Sequence, residues 1–319
     1  MKRGRVFLFS SIFTTALSAA TTVFGIFVTN KLMYIKKKDD RFIYDREIKA
    51  QRFDEAWYKN CRKEEMLIDS PNGYQVKGVF LQPLDTKNTV IISHGVTENK
   101  MNSMKYARMY ERLGFNTFVF DHRRHGESGG KTTSYGHYEK FDLQAVVQTV
   151  RSIIGDDAIL GIHGESMGAA TTLLYAGSIE DNADFYIADC AFSDFSKQVS
   201  HVIKKSTVLR TQLPVHLANI FLRIRDGYSI WDVSPKEAVS NIESPILFVH
   251  SLQDDFILPE MSEEMYEVKK GPKMFKKFEK GAHAQSFNDN PVEYEKTVKE
   301  FLEKYVFNQA NLQSVSEET

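Results

Sequence analysis

The stretch Ile159-Leu160-Gly161-Ile162-His163-Gly164-Glu165-Ser166-Met167-Gly168-Ala169-Ala170-Thr171-Thr172-Leu173-Leu174-Tyr175-Ala176 decides how the chain is read. Its first four residues are an apolar run of strand length, and from Met167 to about Ala176 the pattern is helical. Between them stands Gly164-Glu165-Ser166-Met167-Gly168, a G-x-S-x-G pentapeptide at the point where a strand turns into a helix. A serine there occupies a sharp, strained turn that exposes its hydroxyl. Gly164 and Gly168 let neighbouring backbone approach where a Cβ would collide, and the helix N-terminus behind Ser166 favours developing negative charge. The pentapeptide alone arises by chance; in this setting it marks a nucleophile.

Working outward, apolar runs alternate with helical patterns. Residues 66–68 and 74–81 flank the turn sequence Pro71-Asn72-Gly73 and predict a hairpin. Further strands are predicted at 89–92, 117–120, 159–162, 185–188, 246–249 and 274–275, with helices at 101–113, 138–154, 259–268 and 291–305 between and after them. Such alternation predicts an α/β fold, a mostly parallel sheet with helices on both faces, over residues 61–307. Residues 193–243 break the rhythm with helical patterning and no strand, a small apolar cap insert that reads equally as a lid over a site or as a longer crossover covering the sheet. The polar residues 308–319 read as a disordered tail.

The 319 residues are 42% hydrophobic and 26% charged, which excludes a disordered chain and a multi-span membrane protein. The formal net charge of -1 argues against a nucleic-acid partner. The basic excess is confined to the first fifty residues, with ten Lys/Arg against four Asp/Glu. Two cysteines, Cys61 and Cys190, exclude a disulfide framework and a Cys-based zinc site, and Cys190 reads as a small buried hydrophobe. No metal and no organic cofactor is expected.

From Val6 to Asn30 there is no charged residue, and basic residues flank the stretch on both sides. A helix of this length spans a hydrocarbon core, so residues 1–30 are predicted to be a single N-terminal transmembrane anchor. The small residues Ser18-Ala19-Ala20 suit a signal-peptide cleavage instead, but Thr21 to Val28 would then remain as an apolar end. The expected location is the cell membrane with the catalytic domain extracytoplasmic. Residues 31–60 read as a charged connector whose Tyr34, Phe42, Tyr44, Phe53, Trp57 and Tyr58 are available to dock on the domain.

A serine hydroxyl needs a base to take its proton and an acid to fix the tautomer of that base. In a strand–elbow–helix setting the chain order is serine, acid, histidine. Of the histidines after Ser166, His201 and His216 fall in the insert, and His250 would reverse the order. His283, in the loop Lys280-Gly281-Ala282-His283-Ala284 after the last strand, is left as the base. The acid belongs on the loop after the strand at 246–249, where Asp254 and Asp255 both stand. The oxyanion of acyl transfer would be held by the N–H groups of Met167 and Val96, the latter in His94-Gly95-Val96 after the strand at 89–92. His94 reads as a structural histidine holding that loop, and the loop from Asp121 to Gly129 as a buttress on the rim.

Together the His94-Gly95 pair, the Asp121–Gly129 loop, the Ser166 elbow and the Asp254 and His283 loops resemble the α/β-hydrolase superfamily. Within it the chain is similar to the serine aminopeptidase (S33)-like and monoacylglycerol-lipase-like branch, and to bacterial members with one N-terminal membrane segment. In these relatives the acid loop reads D-D-F-V-P-x-E-M. Here it is Asp254-Asp255-Phe256-Ile257-Leu258-Pro259-Glu260-Met261. Aligning Phe256 and Glu260-Met261 makes Asp254 the acid, whereas aligning the proline makes it Asp255. The resemblance implies a serine hydrolase cleaving carboxylic esters through an acyl-enzyme on Ser166. The rival readings are a peptidase, an acyltransferase and a non-catalytic module on the membrane surface. The apolar insert suggests a lipophilic or aromatic acyl group.

Overall fold

The computed structural model describes residues 2–206 and 211–307, with side chains at residue 15 and from residue 18 onward. The expected tail at 308–319 lies outside the described residues. All eight predicted strands form: β1 (Lys63–Ser70), β2 (Tyr74–Leu81), β3 (Thr89–Ser93), β4 (Asn116–Phe120), β5 (Leu160–Glu165), β6 (Phe185–Asp189), β7 (Ile246–Ser251) and β8 (Lys273–Phe278). They make one sheet in the order β1-β2-β4-β3-β5-β6-β7-β8. The pairs from β4 through β8 are parallel, while β2 runs antiparallel to both β1 and β4.

The helices in chain order are α1 (Lys2–Met33), α2 (Asp40–Lys49), α3 (Glu55–Asn60), α4 (Met104–Arg112), α5 (Glu139–Ile154), α6 (Met167–Ser178), α7 (Phe195–Ser206), α8 (Leu213–Asp226), α9 (Pro235–Val239), α10 (Pro259–Val268), α11 (Ser286–Asp289) and α12 (Pro291–Leu302). The inner strands are apolar on both faces because side chains alternate across the sheet. In β6, Tyr186 and Ala188 join the core under α5 and α6, whereas Phe185 and Ile187 join the core under α4 and α12. Ile246 and Phe248 of β7 divide from Leu247 and Val249 in the same way.

A third apolar cluster lies beneath the insert, where Val199, Val215 and Leu222 pack with Tyr135, Met167, Phe192 and Met33. Met33 ends α1, which runs without a break through residue 30, and its side chain is buried in this cluster. The Phe221 ring of α8 lies over Gly25, and Arg225 donates to the Asn30 side chain at 2.7 Å. The backbone then stitches down, with Thr133 N–H donating to Met33 C=O and Lys38 N–H to Thr97 C=O. In the connector Phe53 is buried, and Tyr44, Trp57 and Tyr58 pack on the core; Tyr34 and Phe42 stay exposed, contrary to expectation. Among the described residues no helix is long and apolar enough to cross a membrane. Much of the stretch from Val6 to Asn30 is described by its backbone alone.

His163 on β5 sits between two phenols, Tyr110 at 3.0 Å from Nδ1 and Tyr294 at 3.1 Å from Nε2. Burial, reinforced by Lys105, lowers its pKa to about 3 from 6.5. The folded protein therefore keeps this ring neutral where the unfolded chain protonates it, so its contribution is complete above pH 6.5 and is lost as pH falls toward 3. At about 1.4 kcal/mol per pH unit, the stability gap between wild type and His163→Gln is expected to narrow by about 2 kcal/mol from pH 6.5 to pH 5, measured by urea unfolding.

Candidate active site

The strand order reverses at β3, whose neighbours β4 and β5 leave in opposite directions, and a crevice opens there at the carboxyl ends of the strands. Ser93 pairs with Gly164 in the β3–β5 register, so the loop after β3 and the elbow after β5 emerge side by side. Ser166 has φ 56° and ψ −117°, a strained backbone for a residue with a Cβ. Its N–H donates to Asp189 C=O at 2.8 Å. A Cβ on Gly168 would lie 1.9 Å from the Ser93 carbonyl oxygen, and one on Gly164 2.4 Å from Gly168 C=O. Both glycines of the pentapeptide are thus required by backbone contact, and α6 starts tight against β3.

Ser166 Oγ lies 2.8 Å from His283 Nε2, and His283 Nδ1 lies 2.7 Å from Asp254 Oδ2. Burial would raise the pKa of Asp254, but hydrogen bonds from His250 and His283 outweigh it and hold the carboxyl well below the usual range. Asp254 is therefore a carboxylate, Nδ1 of His283 carries the proton it donates, and Nε2 is left with a lone pair aimed at the Ser166 hydroxyl. The backbone N–H groups of Phe256 and Ile257 donate to Asp254 Oδ1, each at 3.0 Å. Asp255 points away: its side chain is 82% exposed and pairs with Lys205 at 2.6 Å. Of the two alternatives, Asp254 is the one beside His283. His250 is buried on the far side of Asp254, where its Nε2 donates to Ile257 C=O at 2.9 Å and lies 3.2 Å from Asp254 Oδ2.

The loop from His94 to Thr97 faces the elbow. Val96 N–H has no acceptor among the described residues, and Met167 is the first residue of α6, where N–H groups lack intrahelical partners. The loop is held by histidines, as the sequence suggested. His94 Nδ1 meets Gly95 C=O at 2.7 Å and its Nε2 accepts from His122 N–H at 3.0 Å. His125 Nε2 accepts from Thr97 N–H at 3.1 Å, and burial lowers its pKa to about 3, which keeps it an acceptor. Asp121 accepts from the backbone and the side chain of Lys100, at 2.8 and 2.7 Å, so the 121–129 loop does buttress the rim.

A family model described as serine aminopeptidase, S33, matches residues 85–225. The uncharacterised YqkD protein of Bacillus subtilis is 44% identical over 289 residues, covering 90% of this chain and 95% of its own. The chain belongs to the α/β-hydrolase superfamily, in its S33-like branch. Two solved structures share the fold. An esterase of Pyrococcus furiosus superposes with a TM-score of 0.63 at 22% identity, covering 77% of this chain and 93% of that one. An acylaminoacyl peptidase of Pyrococcus horikoshii gives 0.59 at 18% identity, covering 79% of this chain and 43% of that one.

In this α/β-hydrolase the cavity holding Ser166 and His283 has a volume of about 320 Å³. Its apolar lining residues are Ile35, Val96, Phe256 and Ala284. Among the described residues of the insert none lines it: Val199, Val215 and Leu222 pack into the cluster beneath the cap, while Leu213, Ile220 and Ile224 are exposed. The insert, whose composition suggested a lipophilic or aromatic acyl group, thus contributes none of its described side chains to this cavity. The lining that sequence reasoning missed is polar and charged. It comes from the connector (Lys38, Arg46, Glu47, Arg52), from Glu98 and Asn102, and from Lys105 with Glu165. Arg46-Glu47 and Arg52 were visible as a charged run, but nothing local says that a run faces a crevice. Among the described residues, ligand atoms of Cys190, Asp254 and His283 lie within 4.8 Å of one another. Those of Asp254 and His283 are engaged with each other, and burial pushes the Cys190 thiol up, away from the thiolate that a metal needs.

Gly168→Ala must displace α6 from Ser93 or flatten the elbow. The expected result is a loss of about 1–3 kcal/mol in unfolding free energy, with reaction of Ser166 toward a fluorophosphonate slowed by more than tenfold.

Proposed function

We propose that the protein is a carboxylesterase that works through an acyl-enzyme on Ser166. The observation that carries the reading is the unbroken chain Ser166–His283–Asp254, at 2.8 and 2.7 Å, ending at a strained serine in an accessible cavity. His283 Nε2 takes the hydroxyl proton as Ser166 Oγ attacks the ester carbonyl. The tetrahedral oxyanion is held by Val96 and Met167 N–H, and Asp254 stabilises the imidazolium. Collapse breaks the C–O bond to the alcohol, which leaves with the proton from His283. A water molecule then gives a proton to His283 and its hydroxyl to the acyl carbon, and Ser166 is restored with release of a carboxylic acid.

A peptidase is the second reading, favoured by the fold shared with the acylaminoacyl peptidase. An aminopeptidase must hold a substrate amine on a free acid. Here the three acids of the lining are spent, Glu47 on Arg46 and Arg52, Glu98 on Arg46 and Lys38, and Glu165 on Lys105. The ester reading is preferred for that reason.

The first helix is proposed to anchor the enzyme in the cell membrane, with the domain outside. Supporting this are the uncharged stretch from Val6 to Asn30 and the exposure of Val23, Ile26 and Phe27 where the helix leaves the cap.

Ser166→Ala is expected to abolish hydrolysis of short 4-nitrophenyl esters and fluorophosphonate labelling without a change in circular dichroism. Asp254→Asn should lower kcat by a factor on the order of 10⁴, because the wrong tautomer of His283 is favoured, while Asp255→Asn stays within about twofold, as suits an exposed pair. On intact cells a membrane-impermeant fluorophosphonate is expected to label Ser166; labelling only after lysis would place the domain inside.

A further inference from the structure

The wall of the cavity formed by residues 38–52 is not accounted for by ester chemistry alone. Three of its cations, Lys38, Arg46 and Arg52, face two carboxylates, Glu47 and Glu98. The remaining cation, Lys105, is matched by Glu165 at 2.5 Å. The lining therefore carries one positive charge more than its acids neutralise. Both outer acids are ionised at neutral pH. Burial favours their protonated forms, but the neighbouring cations prevail, lowering Glu47 and taking Glu98 to about 2.

The hydrogen bonds show which cation is spare. Arg46 spends Nε on Glu47 and both terminal nitrogens on Glu98. Arg52 gives Nε and Nη2 to Glu47, at 2.7 and 3.2 Å, and its Nη1 has no partner among the described residues. Lys38 binds Glu98 and, with a side chain 40% exposed, keeps further N–H donors available. Arg52 Nη1 is not closed off from solvent, so it can exchange water for a ligand while Nε stays on Glu47. A planar anion suits the open side of such a guanidinium, which offers two parallel N–H donors. One surplus charge matches a monoanion and not a dianion.

We propose that this wall is a carboxylate subsite: the esters cleaved at Ser166 carry a carboxylate, on the acyl or the alcohol side, that binds Arg52 with Lys38 beside it. The inference rests on the ester reading and names its substrate class. It also assigns the connector a role in specificity, because both cations precede the hydrolase core in the chain.

Two matched pairs of esters test it. The 4-nitrophenyl monoester of adipic acid against 4-nitrophenyl hexanoate places the charge on the acyl side. 4-Acetoxybenzoate against its methyl ester places it on the alcohol side. Wild type is expected to favour the charged member of one pair by about tenfold or more in kcat/KM, with the preference shrinking as salt rises. In Arg52→Gln the charged-to-neutral ratio should fall about tenfold, and Arg52→Lys should recover part of it. Calorimetric binding of the same intact esters to the Ser166→Ala protein reads the subsite without chemistry. Equal affinity for charged and neutral members of both pairs would overturn the subsite, whatever the turnover. Tighter binding of a charged ester to that protein, with no turnover of any ester by wild type, would support the subsite and remove the esterase reading alone.

Discussion

The contact between Gly168 and the Ser93 carbonyl fixes the position of everything else in the site. With no Cβ at residue 168, α6 begins against the end of β3, and the elbow after β5 is pressed up to the loop after β3. That one approach decides where Ser166 Oγ points and brings Val96 and Met167 N–H to the same side of it. The strain at Ser166, with φ 56°, is tolerated because three strands and a helix hold both ends of the turn. Oγ then needs only the His283 loop, carried by the far strands β7 and β8, to close the chain to Asp254.

Beneath and beside this elbow lies a layer of buried charge. Glu165, the residue before Ser166, is paired with Lys105 and accepts from Tyr106 OH at 2.7 Å. Asp189, next to it on β6, accepts from Tyr294 OH at 3.0 Å, and its burial, with Glu165 close by, raises its pKa to about 6. Paired charges in a low-dielectric layer are rigid because any displacement strands one partner. The same principle extends outward through Glu98, which ties Arg46 of α2 and Lys38 to the loop that carries Val96. The N-terminal segment is thereby wired to the Val96 side of the crevice, and Lys38 N–H reinforces this at Thr97 C=O.

Much of this was legible in the chain. The eight strands followed from apolar runs that alternate with helical patterns, because burial on both faces leaves an unmistakable hydrophobic signature. Ser166, Gly164 and Gly168 were legible because a sharp turn restricts residue type locally, and His283 because chain order removed its competitors. Asp254 and Asp255 could not be separated by spacing alone. One sits in a ring of donors from His250, His283, Phe256 and Ile257, the other in solvent, and that difference is made by residues distant in sequence. The apolar insert, open to a lid or a covering crossover, could not be settled by composition for the same reason. Its buried apolar residues cover α1 and α6, and none of its described residues lines the cavity.

The sequence by itself determined the sheet, the elbow and the serine and histidine that meet in the crevice, since each is written in local pattern: period, turn chemistry and order along the chain. Only the tertiary structure decided which aspartate meets His283, that α1 ends inside the domain, and that the crevice is walled by Lys38, Arg46 and Arg52. Those outcomes depend on pairing of charges and packing of helices far apart in the chain, and neither Coulomb attraction nor steric fit leaves a periodic trace in the sequence.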